Sequence, residues 1–252
     1  MPTGRVPATG QIISTATPTG HAGPSRLPEA WVNKIASDGW LEARSETTHL
    51  LVPLAKYTGV QVTGVVNGRT IFKVMDGPRK GSVLSLTEAN AKIYLGSKAP
   101  SRTPAELQVS YGKYVAGWHS AARNQDLDQQ MATLTVGAIH ARVTMNTNWG
   151  GSFYPLPPGD YDVLVPDGPH NANMTRYYRQ ASPKLIYDQV WFPIRFGDNS
   201  RYVHIGNVSD GCVTVIDMDL WDDIHEALIS HRSADGSSVA RLVVSGKPER
   251  AR

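Results

Sequence analysis

"ATLTVGAIHARVTMNT", residues 132–147, decides the fold class. Apolar and polar residues alternate along it, the period of half-buried strands and not the 3.6-residue period of a helix. Toward the C-terminus, "YPLPPGDYDVLVPDG" (154–168) sets a Pro-Pro-Gly turn before a strand at 161–165. "QVWFPIRF" (189–196) and "RYVHI" (201–205) follow as strands joined by the turn Gly197-Asp198-Asn199-Ser200, and "CVTVI" (212–216) is one more. Only "DMDLWDDIHEALISH" (217–231) changes period. There Leu220, Ile224 and Leu228 recur every four residues beside Trp221, which predicts an amphipathic helix capped by Asp217 or Asp219. "ADGSSVARLVVSGKPERAR" (234–252) adds one strand and a frayed basic end.

Toward the N-terminus, "HLLVPLAKYTGVQVTGVVNGRTIFKVM" (49–75) supplies short β-branched runs separated by glycines. Asn67-Gly68 between two such runs is the strongest hairpin signal in the chain. Residues 1–27, rich in Pro, Gly, Ser and Thr, predict a flexible tail. A first structured block runs from Pro28 to Pro104, and "TPAELQVSYGKYVAGWHSAARN" (103–124) fits either a helix or two strands. The expected organisation is a tail at 1–27, a small β-rich accessory module at 28–125 and a second, mainly β domain at 126–252.

Composition narrows the classes of function. The chain has 252 residues, 40% hydrophobic and 19% charged, so it can bury a sizeable core. A net charge of +3 without a Lys/Arg block gives no reason to expect nucleic acid. No stretch approaches the roughly 18 apolar residues of a membrane helix. "MPTGRVPATGQIISTATPTGHAGPSR" (1–26) lacks the apolar core of a signal peptide. The expectation is cytoplasmic action, export by a route that ignores signal peptides, or a missing leader.

Cys212 is the single cysteine, which excludes an internal disulfide. His204 stands eight positions before it, across "GNVSDG" (206–211). A cysteine nucleophile needs its thiolate, and an imidazole nearby supplies the base. If the two flanking strands are neighbours joined by this loop, His204 and Cys212 meet where the strands leave it. Ser209 and Asp210 close the turn with Gly206 and Gly211, and Gly211 can aim amide N–H groups at an oxyanion. The alternative is a core cysteine after a β-turn, with His204 bonded to a backbone carbonyl. His140, His170, His204 and Asp210 are scattered and show no metal-ligand spacing, so neither metal nor cofactor is expected.

Ser209-Asp210-Gly211-Cys212-Val213, with His204 upstream and an Asp-initiated helix downstream, resembles the catalytic signature of the L,D-transpeptidase (YkuD-type) family. "PLPPGDYDVLV" (155–165) resembles that family's Pro-Gly-Tyr strand. The resemblance covers roughly residues 132–230. The chain departs from the pattern in its short His-to-Cys gap, in Asp210 where a second His is frequent, and in Thr214 where Arg or Asn is usual. A similarly compact arrangement occurs in divergent relatives that include antibacterial effectors.

The resemblance implies a β-sandwich catalytic domain with a packed helix, acting on the stem peptides of peptidoglycan in the periplasm or cell wall. It implies Cys212 as nucleophile and His204 as base, oriented by a backbone carbonyl such as that of Ile205 or Gly206. Amides of Gly211 and Cys212 would hold the oxyanion and Ser209 would brace the loop. Transpeptidation, carboxypeptidase action and D-amino-acid exchange share one thioester. An inactive cell-wall-binding module and a secreted effector with an immunity or secretion-apparatus partner are the alternatives. The polar stretch 166–180 is expected to be a lid or a solvated connection, in which Arg176, Tyr177 and Tyr178 could meet a substrate carboxylate, as could Arg201. Trp191 and Phe192 are expected in the core.

Overall fold

The computed structural model describes residues 29–149 and 153–250. The tail expected at 1–27 lies outside the described residues. The described residues are mainly β, with two sheets and three α-helices.

The first sheet contains β1 (Ala30–Val32), β2 (Trp40–Ser45), β3 (Leu51–Ala55), β4 (Gly59–Val66), β5 (Arg69–Val74), β6 (Val83–Thr87) and β7 (Leu95–Gly96), with helix α1 (Glu88–Tyr94) before the last. Its strand order is β3-β2-β6-β5-β4-β1-β7. The hairpin expected at Asn67-Gly68 joins β4 to β5, with Val66 opposite Arg69. Both loop residues have positive φ, 49° and 71°, as the tight turn between twisted strands requires. Val60, Phe72, Val74 and Leu84 centre this module's own core.

The second sheet comprises β8 (Ala105–Ser120), β9 (Gln125–Val136), β10 (Ile139–Asn146), β11 (Gly159–Leu164), β12 (Phe192–Ile194), β13 (Arg201–Ile205), β14 (Val213–Val215) and β15 (Ser238–Ser245). It closes on itself in the order β10-β14-β13-β12-β11-β15-β8-β9, a barrel and not the expected sandwich. The closing strand is β8. It pairs with β9 on one side and runs parallel to β15 on the other, from Ala105↔Ala240 to Ser110↔Ser245. Most of the ambiguous stretch 103–124 is therefore one long strand of the barrel, Ala105–Ser120. Closure leaves no unpaired edge, so both flanks of every strand find backbone partners.

Two helices pack on the barrel. The stretch expected as a lid or loop contains α2 (Ala172–Ala181), which starts at Asn171, whose side chain accepts from the Asn173 amide at 2.9 Å. Its buried positions are Thr175 and Tyr178, too few apolar residues to reveal a helical period in the sequence. The predicted C-terminal helix is α3 (Trp221–Ile229), preceded by a 3-10 turn at Met218–Leu220, with Trp221, Ile224 and Leu228 fully buried. Neither expected aspartate caps it. Asp217 instead accepts from the Arg142 amide at 2.7 Å and from its guanidinium, and Asp219 accepts from Ser182. Asp222 and Asp223 occupy the first turn, where the helix dipole favours them.

The module is fastened to the barrel. Trp40, Ala55 and Tyr57 belong to the barrel's core. Glu226 of α3 accepts from Lys56 Nζ at 2.8 Å and from the Tyr57 hydroxyl at 3.0 Å, and buried Arg232 donates to the Lys56 carbonyl at 3.0 Å. The basic end expected to fray is tied down as far as Arg250. Its amide donates to Gln130 at 3.0 Å, and its guanidinium lies 4.5 Å from the centre of the Trp149 ring.

Candidate active site

β13 and β14 are neighbours, as the sequence suggested, but they run parallel: Val203, His204 and Ile205 stand level with Val213, Thr214 and Val215. Parallel neighbours usually need a long crossover. Here the strands are so short that the seven residues 206–212, reaching roughly 23 Å at about 3.3 Å each, suffice for the return. Registered neighbours share a face, so Val203, Ile205, Val213 and Val215 all point into the barrel and are fully buried. His204 and Thr214 take the opposite face. Cys212, one residue before Val213, lies level with Tyr202 on that same face, diagonal to His204 and not opposite it.

Both nitrogens of the His204 ring are engaged. Nδ1 lies 2.8 Å from the Ile205 carbonyl, which can only accept, so Nδ1 carries the proton. Nε2 then accepts from the Thr214 hydroxyl at 2.9 Å. Trp191 stacks on the imidazole at 4.1 Å, and His170 stacks on Trp191 at 3.9 Å, a three-ring pile with Tyr202 edge-on beside it. The Trp191 indole N–H donates to the Asp188 carbonyl at 3.0 Å, and the Asp188 carboxylate holds Thr175 and Arg179 of α2. Burial pushes His204 down to about 4, the Ile205 carbonyl opposing and His170 reinforcing the shift. At neutral pH the His204 ring is therefore uncharged.

The loop between the strands is braced on three sides. Asn207 receives the Ser120 hydroxyl on its side-chain oxygen at 2.7 Å and the Gln129 amide on its carbonyl at 2.9 Å, while its own N–H donates to the Tyr178 hydroxyl at 3.2 Å. The Ser209 carbonyl accepts from the Thr147 amide at 2.8 Å, and the Ser209 hydroxyl donates to the Cys212 carbonyl at 2.9 Å. Gly206 packs under the Tyr178 hydroxyl, where a Cβ would come within 3.1 Å. Gly211 is demanded twice. Its φ is +95°, and a Cβ would collide with the Tyr154 carbonyl oxygen and sit 2.6 Å from the Arg201 guanidinium carbon.

Cys212 is 8% exposed, and burial pushes its thiol up to about 11, against the pull of the Tyr202 amide and the Arg201 charge and with the push of Asp210. It opens with His204 into one cavity of about 590 Å³. Of the residues expected to meet substrate, Arg201, Tyr177 and Tyr178 line this cavity, as does Asp210; Arg176 does not, although its guanidinium lies 5.0 Å from the Tyr177 ring. Tyr178 is 4% exposed and spends its hydroxyl on the loop.

Four participants escaped sequence reasoning. Trp191, expected in the core, is buried, but against the His204 ring. His170 and Thr214 join that ring only through the stack and the parallel register. Arg123 reaches the cavity from the β8–β9 turn, 81 positions before His204, with no local signal. Among the described residues no cluster of three or more His, Cys, Asp or Glu is placed to hold a metal ion. No family model matches the chain, and it has no significant match among curated proteins or solved structures.

Proposed function

We propose that this chain is a cysteine acyltransferase of L,D-transpeptidase type that acts on peptidoglycan stem peptides. The observation that carries the reading is the sharing of one cavity by Cys212 and His204 on the same face of adjacent strands, with the His204 Nδ1 proton given to the Ile205 carbonyl. That tautomer leaves Nε2 as the acceptor a thiol proton needs. Cys212 Sγ attacks the carbonyl of the diamino-acid residue, its proton passes to Nε2, and the same proton then goes to the amine of the departing D-alanine. An amine or water resolves the thioester.

The resting pair is neutral, with a thiol near 11 and an imidazole near 4. Attack and proton transfer therefore run together, by general-base catalysis and not from a preformed thiolate. Thr214 must release Nε2 for this to happen. The hold of Thr214 on Nε2 also favours a second reading, an inactive domain that binds the cell wall without turning over its peptides.

Mass spectrometry of disaccharide-tetrapeptide muropeptides incubated with the protein and with Cys212→Ala separates the two. Loss of D-alanine, or a dimer or exchanged product, from the wild type alone supports the enzyme. An untouched muropeptide with a folded wild type supports the binding module.

A further inference from the structure

Two of the arginines that lack a carboxylate partner stand at the Cys212 cavity. Arg44, Arg142, Arg179, Arg195, Arg241 and Arg250 each have a carboxylate within 4 Å. Among the described residues, Arg123 and Arg201 have none within that distance, although both line the cavity. Each is held by an aromatic ring. The Arg123 guanidinium carbon lies 5.2 Å from the centre of Tyr177, and that of Arg201 lies 5.3 Å from the centre of Tyr154. Stacking fixes a guanidinium while leaving its in-plane N–H groups free, the arrangement that suits bidentate capture of a carboxylate. Arg123 Nε is buried without a hydrogen-bond partner.

The placement is built in. Arg123 sits on the turn between β8 and β9, and both strands are tied to the nucleophile loop where Ser120 and Gln129 bond Asn207. Arg201 packs against Gly211, the residue before Cys212, close enough that its charge pulls on the thiol. Asp210 is the one acidic residue lining the cavity, so the two arginines leave it with an excess of positive charge. Phe153, Met174 and Trp191 supply apolar wall. An apolar-walled, cationic cavity of this size suits a short peptide with a free carboxylate near the bond attacked.

We propose that Arg123, acting with Arg201, forms the anion-recognising rim of this cavity and selects acyl donors that carry a free carboxylate. This rests on the acyl-transfer reading for the word donor alone; the rim itself does not depend on turnover.

Cys212 is the only thiol, so alkylation of the intact protein reads this cavity directly. The test is the ratio of second-order rate constants for iodoacetate and iodoacetamide, measured for wild type, Arg123→Gln and Arg123→Lys, with N-acetylcysteine as reference. The ratio cancels any change in the thiol itself. It is expected to exceed the reference in wild type, to fall roughly twofold to fivefold in Arg123→Gln, to recover partly in Arg123→Lys, and to shrink at high salt. An equal ratio in wild type and Arg123→Gln overturns the proposal. So does a wild-type ratio no higher than that of N-acetylcysteine.

A second arm titrates Cys212→Ala with a stem tetrapeptide and with its C-terminal amide. Tighter binding of the free acid, lost in the double variant with Arg123→Gln, supports the rim, and equal binding of both overturns it. Charge-selective alkylation without muropeptide turnover would sink the enzyme reading and leave the rim standing. Turnover without charge selectivity would do the reverse.

Discussion

Thr214 Oγ1 stands 2.9 Å from His204 Nε2, level with it across the parallel β13–β14 pair. The imidazole of the candidate site is thereby held by the residue two positions after Cys212. With Nδ1 committed to the Ile205 carbonyl, the ring has no free nitrogen in the resting state.

Removing that hold should change the thiol. In Thr214→Val the isosteric side chain leaves Nε2 as a buried, unbonded acceptor, which costs about 1–3 kcal/mol of stability. The freed nitrogen is then available to the Cys212 proton, so alkylation by iodoacetamide at pH 8 should rise severalfold, while Thr214→Ser should match wild type. A Thr214→Val rate equal to that of wild type would show that Thr214 does not keep the His204 ring from the sulfur.

Gly211 should tolerate no side chain. Gly211→Ala places a Cβ at φ +95° against the Tyr154 carbonyl and the Arg201 guanidinium. We expect a loss of roughly 2–3 kcal/mol in urea unfolding, from the backbone strain and the contact with rigid main chain. Arg201 should also shift, so Cys212 alkylation should lose its preference for iodoacetate. A variant as stable as wild type would mean that the loop can relax around a methyl group.

Acid should destabilise the fold within a defined window. Burial pushes His204 down to about 4, His225 well below its ordinary value and His170 down as well. Their folded-state values lie below those of the unfolded chain, so above about 6.5 both states are neutral and nothing is lost. As pH falls from about 6.5 toward 4, the unfolded chain takes up protons that the folded chain refuses, at up to about 1.4 kcal/mol per unit each for His204 and His225, with His170 acting in the same direction. Asp76 and Asp222, which burial pushes up, act in the opposite direction. The thermal midpoint should therefore fall steadily between pH 6.5 and 4.5. A midpoint constant over that range would contradict the burial of these imidazoles.

Module and barrel should unfold together. Trp40 is 1% exposed and packs in the barrel's core although it stands on the module's β2. Trp40→Ala should cost about 3–5 kcal/mol and still give a single transition, because the cavity it leaves belongs to both parts. Two resolved transitions by calorimetry in the wild type would refute that coupling.

Much of the strand content was legible in residue order. The alternation in 132–147, the Asn67-Gly68 turn, the turn at 197–200 and the Leu220/Ile224/Leu228 spacing each encode an element locally, because burial on one face imposes the element's own period on the chain. Short, buried β12 gave a blurred signal. Helix α2 gave almost none, since only Thr175 and Tyr178 of its ten residues are buried.

The sequence by itself determined that this is a mainly β chain whose one thiol sits eight residues after a histidine, on a glycine-bounded loop. Those are properties of local order: period, turn chemistry and the residues that glycine alone can replace. Only the tertiary structure decided that β8 closes a barrel, that β13 and β14 run parallel, and that Thr214 and not Cys212 faces the imidazole. It also decided that Trp191 stacks on the His204 ring with His170 behind it, and that Arg123 reaches the cavity from a distant turn. Strand direction and closure depend on which backbone edges find each other across long stretches of chain, and that pairing is settled by the packing of the whole core.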